Sequence, residues 1–399
     1  MKILTVNAGS SSLKFNCIEL PSQEELISGY FEKIGMDGSF YSIKMNGEKV
    51  KKQAELKDHT DAVSYLKQEL LDNNIVVSLD EIDGVGHRLV HGGDKFKDSV
   101  LLTDEVIKEC EKFNDLAPLH NPAMIKCIEA FKSALPETPM VGVFDTSFHQ
   151  TIPEINYLYS VPYSWYKDFG IRKYGFHGTS HKYITKTMKE LLGKDSINII
   201  NCHIGSGSSI CCIKDSKSVD TTMGFSPNAG LIMGTRSGDI DYSVIPFYMS
   251  KTGKSITEVD NILNKESGLL GISEKYSDHR DIEDAMAEGD EKCILANDMC
   301  VKRVVDYITK YYVELEGNVD AIVFTAGLGE NAREFRESII NKLNCLGIKI
   351  DAEVNMGIAS YKDIHEGKIS AADSKVPVYV IPTNEELMIA LDTFEIINN

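Results

Sequence analysis

The chain has no excess of positive charge. Its 399 residues carry 42 Lys and Arg against 60 Asp and Glu, a formal net charge of −18. Nucleic acid and anionic membrane are therefore excluded as natural partners, because both repel an acidic surface. Long apolar runs are also missing. No stretch approaches the ~20 apolar residues that span a bilayer. The apolar run after Lys2 is broken by Asn7, too short for the core of a signal peptide. The nine cysteines are odd in number and form no CxxC pair. Reduced thiols in a cytoplasmic protein are the simplest reading. No low-complexity linker divides the chain. What is present is a soluble globular composition, 42% hydrophobic and 26% charged, with length for two or three domains.

One stretch, Ile3–Leu20, organises the rest. An apolar strand ends at Asn7, Ala8-Gly9-Ser10-Ser11-Ser12 turns, and Leu13, Phe15 and Cys17 then alternate with Lys14 and Asn16 as a returning strand. Gly and Ser let backbone N–H groups approach an anion, so the turn suits phosphate oxygens. An ordinary Ser-rich hairpin turn is the bland alternative. It is not a Walker A loop, because Gly-Lys-Ser/Thr is absent and a strand follows where a helix should begin. The pattern returns half a chain later: strand Ile197–Asn201, turn Cys202–Ser209, strand Ile210–Lys214. This suggests an internal repeat. Gly205-Ser206-Gly207 is not a dinucleotide fingerprint, again because a strand follows.

Between the two turns the periodicity predicts strands, a helix over Thr60–Asn73, a strand over Ile82–Val90, two helices, and a strand over Pro139–Phe144. The second half adds helices at Tyr242–Ser250, Ile256–Asn264 and Asp290–Glu316. A strand over Val319–Thr325, a helix from Asn331 to about Leu346 and a strand over Val376–Ile381 follow. A terminal helix opens at Thr383-Asn384-Glu385-Glu386. The boundary falls near Gln150–Pro153 and the last helix crosses back. The domains are then 1–150 plus 382–399, and 151–381.

Several residues are typed for anion chemistry. Arg88 and Arg236 lie among glycines, and a guanidinium fork matches carboxylate and phosphate oxygens. Either alone reads equally as a surface arginine. Asp145 ends a strand and Glu385 opens a helix, positions from which carboxylates hold Mg²⁺ directly or through water. For Glu385 the alternative is a first-turn acid serving the helix dipole. His177 and His181 have the i, i+4 spacing of a zinc helix. The acid of HExxH is missing, however, and Gly178 weakens a helix at that point. A hydrogen-bond donor to a transferring phosphoryl is the better use of His177. His181 reads as an ordinary helix-face histidine.

Seven segments, in order, resemble the acetate kinase family of the acetate and sugar kinase/Hsp70/actin superfamily. They are Asn7–Phe15, Gly86–Gly93, Phe144–His149, Tyr174–His181, Met233–Asp241, Thr325–Asn331 and Thr383–Glu386. The resemblance implies an α/β fold of two duplicated actin-like (ribonuclease H-like) βββαβαβα domains around a central nucleotide cleft. The second domain would carry nucleotide binding and homodimerisation. The implied reaction is reversible transfer of the ATP γ-phosphoryl to acetate, giving acetyl phosphate and ADP, with Mg²⁺, or Mn²⁺ in its place. By resemblance, Arg88 and Arg236 grip the acyl substrate and His177 stabilises the moving phosphoryl. Asn7, Asp145 and Glu385 serve the metal, and Asn7, Ser10, Ser12 and Lys14 line the phosphate channel. Val90, Leu119, Phe176 and Pro227 match the pocket for the methyl group. His203, Gly205, Ser206, Gly207, Asp278, Arg280, Gly327, Gly329 and Asn331 fall on nucleotide-binding segments. Two residues depart from the family pattern: Ser206 stands where HLGNG has asparagine, and Tyr242 where proline commonly follows DID. Propionate- or butyrate-type kinases are the near alternatives. An actin/Hsp70-like nucleotide switch is the distant one.

Overall fold

The computed structural model describes residues 1–114 and 121–399. The chain divides into two compact units, Met1–Phe148 with Asn384–Asn399, and His149–Thr383.

The strands of the first unit are β1 (Lys2–Ala8), β2 (Ser12–Glu19), β3 (Glu24–Glu32), β4 (Phe40–Met45), β5 (Glu48–Gln53), β6 (Ile82–Leu89), β7 (Val100–Leu101) and β8 (Met140–Phe144). Among the described residues they form one sheet in the order β5-β4-β3-β2-β1-β6-β8-β7. Strands β1 to β5 form an antiparallel meander, while β6 and β8 run parallel to β1. The second unit holds β9 (Ile199–Ile204), β10 (Ser208–Lys214), β11 (Lys217–Thr221), β12 (Ala321–Thr325), β13 (Gly367–Lys368) and β14 (Val378–Val380). Their order is β11-β10-β9-β12-β14-β13. An antiparallel three-strand meander is again followed by two parallel strands and a short antiparallel edge. Strand for strand this is β3-β2-β1-β6-β8-β7, so the fold is duplicated and the β4–β5 hairpin is an addition to the first copy.

Strand alternation on β6 decides what each face of the first sheet holds. His87 packs edge-on against Phe131 of the helix Asn121–Ala134, with ring centroids 5.2 Å apart. Gly84 and Gly86 point the other way. A β-carbon on Gly84 would lie 3.2 Å from Thr393 Cγ2, and one on Gly86 would lie 2.6 Å from Ile389 Cγ2. Both partners belong to the terminal helix Glu385–Asn398, which lies across β6 because those two strand residues have no side chain. Arg88 continues the glycine face and so meets the start of that helix.

In the second unit the helix Glu291–Glu314 covers its sheet, burying Cys293, Ala296, Cys300, Val304, Ile308 and Tyr311. Eight of the nine cysteines are free and buried, and burial pushes thiols such as Cys17 and Cys300 up to about 12. Two helix expectations need correction. The helix expected after Asn331 is found at Arg333–Lys342 with a 3-10 turn at Asn344–Leu346, but the segment before it, Ala326–Asn331, is itself a short helix that was not expected. Ala332 leaves helical geometry at φ −85, ψ 88 and divides the two helices. Gly178, read as a weak point, is instead the first residue of the helix Gly178–Leu192. The turn of chain before it is made by His177, with φ 59 in the left-handed region.

Candidate active site

In the first unit the site begins from the alternation that put Arg88 on the glycine face. Its Nε and Nη2 donate to Asp145 Oδ1 and Oδ2 at 2.9 and 2.5 Å, a bidentate fork, and Nη1 donates to Asn7 Oδ1 at 3.1 Å. Asp145 is 2% exposed at the carboxyl end of β8. Burial opposes the charge on Arg88, but the Asp145 carboxylate outweighs it and holds the guanidinium above its ordinary range. Asn7, Lys14, Arg88, Glu385 and Glu386 line one small hollow. Burial pushes the Glu385 carboxyl up to about 7; Arg88 opposes this, while Asp145 and Glu386 add to it. Lys14 pairs with Glu386. Ser10 and Ser12 are exposed on the β1–β2 turn, which Gly9 N closes by donating to Ser12 O at 2.8 Å. His59 supports the turn from behind, with Nε2 2.9 Å from Gly9 O. Val90 is buried in this unit, and Leu119 lies outside the described residues.

Oxygen donors suit a hard cation, and Mg²⁺ takes one or two carboxylates with phosphate oxygens completing its shell. Burial raises Glu385, with Asp145 and Glu386 adding to it, and a bound cation would relieve that condition. Asn7, Asp145 and Glu385 therefore fit such an ion. Among the described residues no three His, Cys, Asp or Glu side chains are grouped to hold a metal.

In the second unit, β9 and β10 place His203 opposite Ser209 across the turn. His177 Nε2 and Arg236 Nη1 both approach Gly207: a β-carbon there would lie 3.4 and 3.7 Å from them, in ordinary contact. His177 stacks on His203 with centroids 4.1 Å apart. His203 Nδ1 lies 2.8 Å from Ser180 Oγ, which is also 2.8 Å from Thr383 Oγ1. Arg236 is half-buried, and burial lowers its guanidinium below the ordinary value. Its contacts are the Pro227 carbonyl at 3.4 Å and Met233 Sδ at 3.9 Å, with no carboxylate among the described residues. His181 is not an ordinary helix-face residue. It is fully buried, sharing Ser209 with His177. Phe176 is buried beside them, its carbonyl 2.9 Å from His149 Nε2.

A cavity of about 690 Å³ opens beside this cluster. Gly205 and Ser206 form one wall, Asp278 and Arg280 another, and Gly327 with Asn331 a third. Asp278 caps the helix His279–Ala287 and takes the Arg280 fork at 3.1 and 2.6 Å; that hydrogen bond holds its carboxyl down at about 2. Gly329 belongs to the same short helix as Gly327 and Asn331, and its carbonyl accepts from Arg336 Nη1 at 2.9 Å. Sequence reasoning missed Arg336. It is fully buried and donates to four carbonyls and the Asn355 amide, fixing the floor of the third wall. Ser360 was also missed. It bonds Asn331 Oδ1 through its N and Oγ at 2.9 and 2.6 Å, from a stretch with no periodicity to announce it. Tyr242 is 80% exposed and does not line the cavity.

A family model described as the Acetokinase family matches residues 2–391. Acetate kinase of Bacillus cytotoxicus is 51% identical over 399 residues, covering 100% of this chain and 99% of the relative. The crystal structure of Porphyromonas gingivalis acetate kinase matches with TM-score 0.94 at 45% identity, over 99% of both chains. That of a propionate kinase from Francisella tularensis subsp. tularensis matches at 0.92 with 40% identity, over 99% of both.

Proposed function

The chain belongs to the acetokinase family, and from that premise we propose how its own residues carry out transfer of the ATP γ-phosphoryl to acetate. The observation that carries the reading is Arg236. A half-buried guanidinium with no carboxylate partner among the described residues, approaching one glycine together with His177 Nε2, suits an anion in a chain of net charge −18. A nucleotide switch needs no such pair.

Acetate is already a carboxylate at neutral pH, so no general base is required. Its oxygen attacks the γ-phosphorus in line, the bond to the β–γ bridging oxygen breaks, and ADP leaves. The cavity of the second unit holds the nucleotide, with Gly205, Ser206, Gly207 and His203 at its phosphates. Asp278, Arg280, Gly327, Gly329 and Asn331 lie around the nucleoside. Ser206 reaches less far than the family's asparagine and is expected to weaken the hold on the phosphate donor. His177 donates to a γ-oxygen as charge gathers there, and Arg236 neutralises the same group. In the first unit Arg88 orients the acyl phosphate. Asn7, Asp145 and Glu385 hold Mg²⁺, which when bound neutralises phosphate charge. Ser10, Ser12 and Lys14 line the channel. In the second unit Phe176 and Pro227 receive the methyl group.

Among the described residues no helix is long and apolar enough to cross a membrane. A cytoplasmic homodimer is part of this reading. Exposed Trp165, Phe169, Tyr242 and Phe247, all in the second unit, support a second copy of the chain as their cover. The test is a coupled assay with ATP, Mg²⁺ and a panel of acetate, propionate and butyrate, with pyrophosphate as an alternative donor. Acetate is expected to give the highest kcat/KM. Propionate, the second reading because of the Francisella relative, would take its place if it were turned over faster. ATP hydrolysis indifferent to every carboxylate would overturn the assignment.

A further inference from the structure

Ser209 sits at a junction. It is fully buried on β10, and its hydroxyl lies 2.9 Å from His177 Nδ1 and 2.9 Å from His181 Nε2. A hydroxyl has one proton, so it donates to one ring and accepts from the other. The direction is decided one step further back. His181 Nδ1 faces Asn201 Nδ2 at 2.8 Å, and an amide nitrogen only donates. His181 and Asn201 are both fully buried. Burial holds the His181 imidazole well below its ordinary range, with His149 and His203 adding to the effect, so the ring is neutral. Its Nδ1 accepts and its single proton is on Nε2. His181 therefore donates to Ser209, and Ser209 donates to His177 Nδ1. The proton of a neutral His177 is then left on Nε2, the atom that faces Gly207.

We propose that Asn201, His181 and Ser209 form a one-way hydrogen-bond relay that fixes the tautomer of His177, so that Nε2 presents a proton to the transferring phosphoryl. The proposal rests on the reading of His177 as the phosphoryl donor. The three are positioning residues and none touches substrate. No proton changes hands and no covalent bond forms in the relay; it selects between two neutral rings. With the proton on Nδ1, a lone pair would face the phosphoryl oxygens and repel them. The geometry follows from local structure. His177 caps the helix that carries His181 one turn later, so both rings reach one strand residue, and Asn201 stands on the neighbouring strand β9.

The test is nitrogen NMR of the full-length protein labelled in histidine, with His177→Gln to assign the resonances. Wild type is expected to show His177 as one neutral tautomer, protonated on Nε2. In Ser209→Ala the two tautomers should mix, and kcat should fall about ten- to hundredfold, less than the loss of a whole oxyanion donor. KM for acetate and ATP should stay within about twofold, since orientation of a transition-state donor is lost and not ground-state binding. Ser209→Thr keeps the hydroxyl and should restore the tautomer and most of kcat. A wild-type His177 protonated on Nδ1, as an Asn201 amide facing the other way would give, overturns the relay without any variant having to fold. So does an unchanged tautomer in Ser209→Ala. If His177→Ala retained wild-type kcat, the phosphoryl-donor reading would fall, while the spectra would still decide the relay.

Discussion

Gly86→Ala ties the packing of the first unit to its chemistry. The backbone at this position accepts alanine, since Gly86 is not among the residues of positive φ. Space is the obstacle. The added β-carbon would lie 2.6 Å from Ile389 Cγ2 and 3.3 Å from the Ile389 carbonyl, and against Thr393 Oγ1. Ordinary carbon–carbon contact is about 3.5–4.0 Å, so the Ile389 and Thr393 side chains must give way by about 1 Å. The Ile389 carbonyl is tight as well, so part of the strain passes to the helix backbone. Overpacking of this kind costs about 1–3 kcal/mol. It should appear as a lower urea midpoint at unchanged slope. The same displacement moves Glu385, one turn before Ile389, away from Arg88 and Asp145. The Mg²⁺ concentration for half-maximal activity should therefore rise in the variant. Ile389→Ala in the same chain makes room, so the double variant should be more stable than the two single losses sum to. A Gly86→Ala protein with wild-type midpoint and wild-type Mg²⁺ dependence would refute the account of why β6 carries glycine there.

Other outcomes follow from single groups. Arg236→Ala should abolish acyl phosphate formation while ATP still binds, measured by coupled assay and by nucleotide titration; retained acetate-dependent activity would remove Arg236 from the site. Glu385→Ala should raise the Mg²⁺ requirement about tenfold or more, and an unchanged titration would count against its metal role. The third outcome is acid sensitivity. Burial lowers His87 to about 3 and His149 to about 4. These folded-state values lie below the unfolded ~6.5, so their stability is present above pH 6.5 and is lost as pH falls toward 4. Between pH 7 and 5 each costs about 2 kcal/mol. Urea titrations of wild type and His87→Leu at the two pH values check it, and an unchanged difference in the variant would remove His87 from the cause.

The sequence made the repeat visible through two short Gly/Ser turns, and the rest of the duplication was hidden. Topology is carried by strand order, which is set by crossovers and not by any local pattern. Periodicity located the strands but could not reveal that β14 stands to β12 as β8 stands to β6. The charged candidate residues Arg88, Asp145, Arg236 and Glu385 could be picked out because they sit at strand ends or among glycines. The groups that orient them could not. Ser209 looks like one more serine of a polar turn, and its value comes from a helix starting 31 residues earlier at Gly178. That helix was discounted because glycine is a poor helix former. Propensity lost there to position: at the first turn the glycine follows a histidine already in left-handed geometry. Arg336 was invisible for a related reason. It lies in a polar-looking helix, and only the fold closes carbonyls around it.

The three central arginines show how an acidic chain can still receive anions. At physiological salt, charges beyond about 8 Å are largely screened, so the net −18 matters less than what each guanidinium already touches. Arg336 is saturated by neutral acceptors, and burial lowers it to about 10, so its job is to hold backbone. Arg88 is paired with Asp145 through two hydrogen bonds, which fixes its plane before any ligand arrives but offsets its charge. It can orient an anion more than it can attract one. Among the described residues Arg236 touches only a carbonyl and a thioether, and burial weakens its hold on its own proton, which is why the proposed function assigns it an anionic ligand. The division is physical. A preset fork supplies geometry and an under-partnered one supplies charge, and phosphoryl transfer needs both because its barrier is set by alignment and by charge on the moving oxygens.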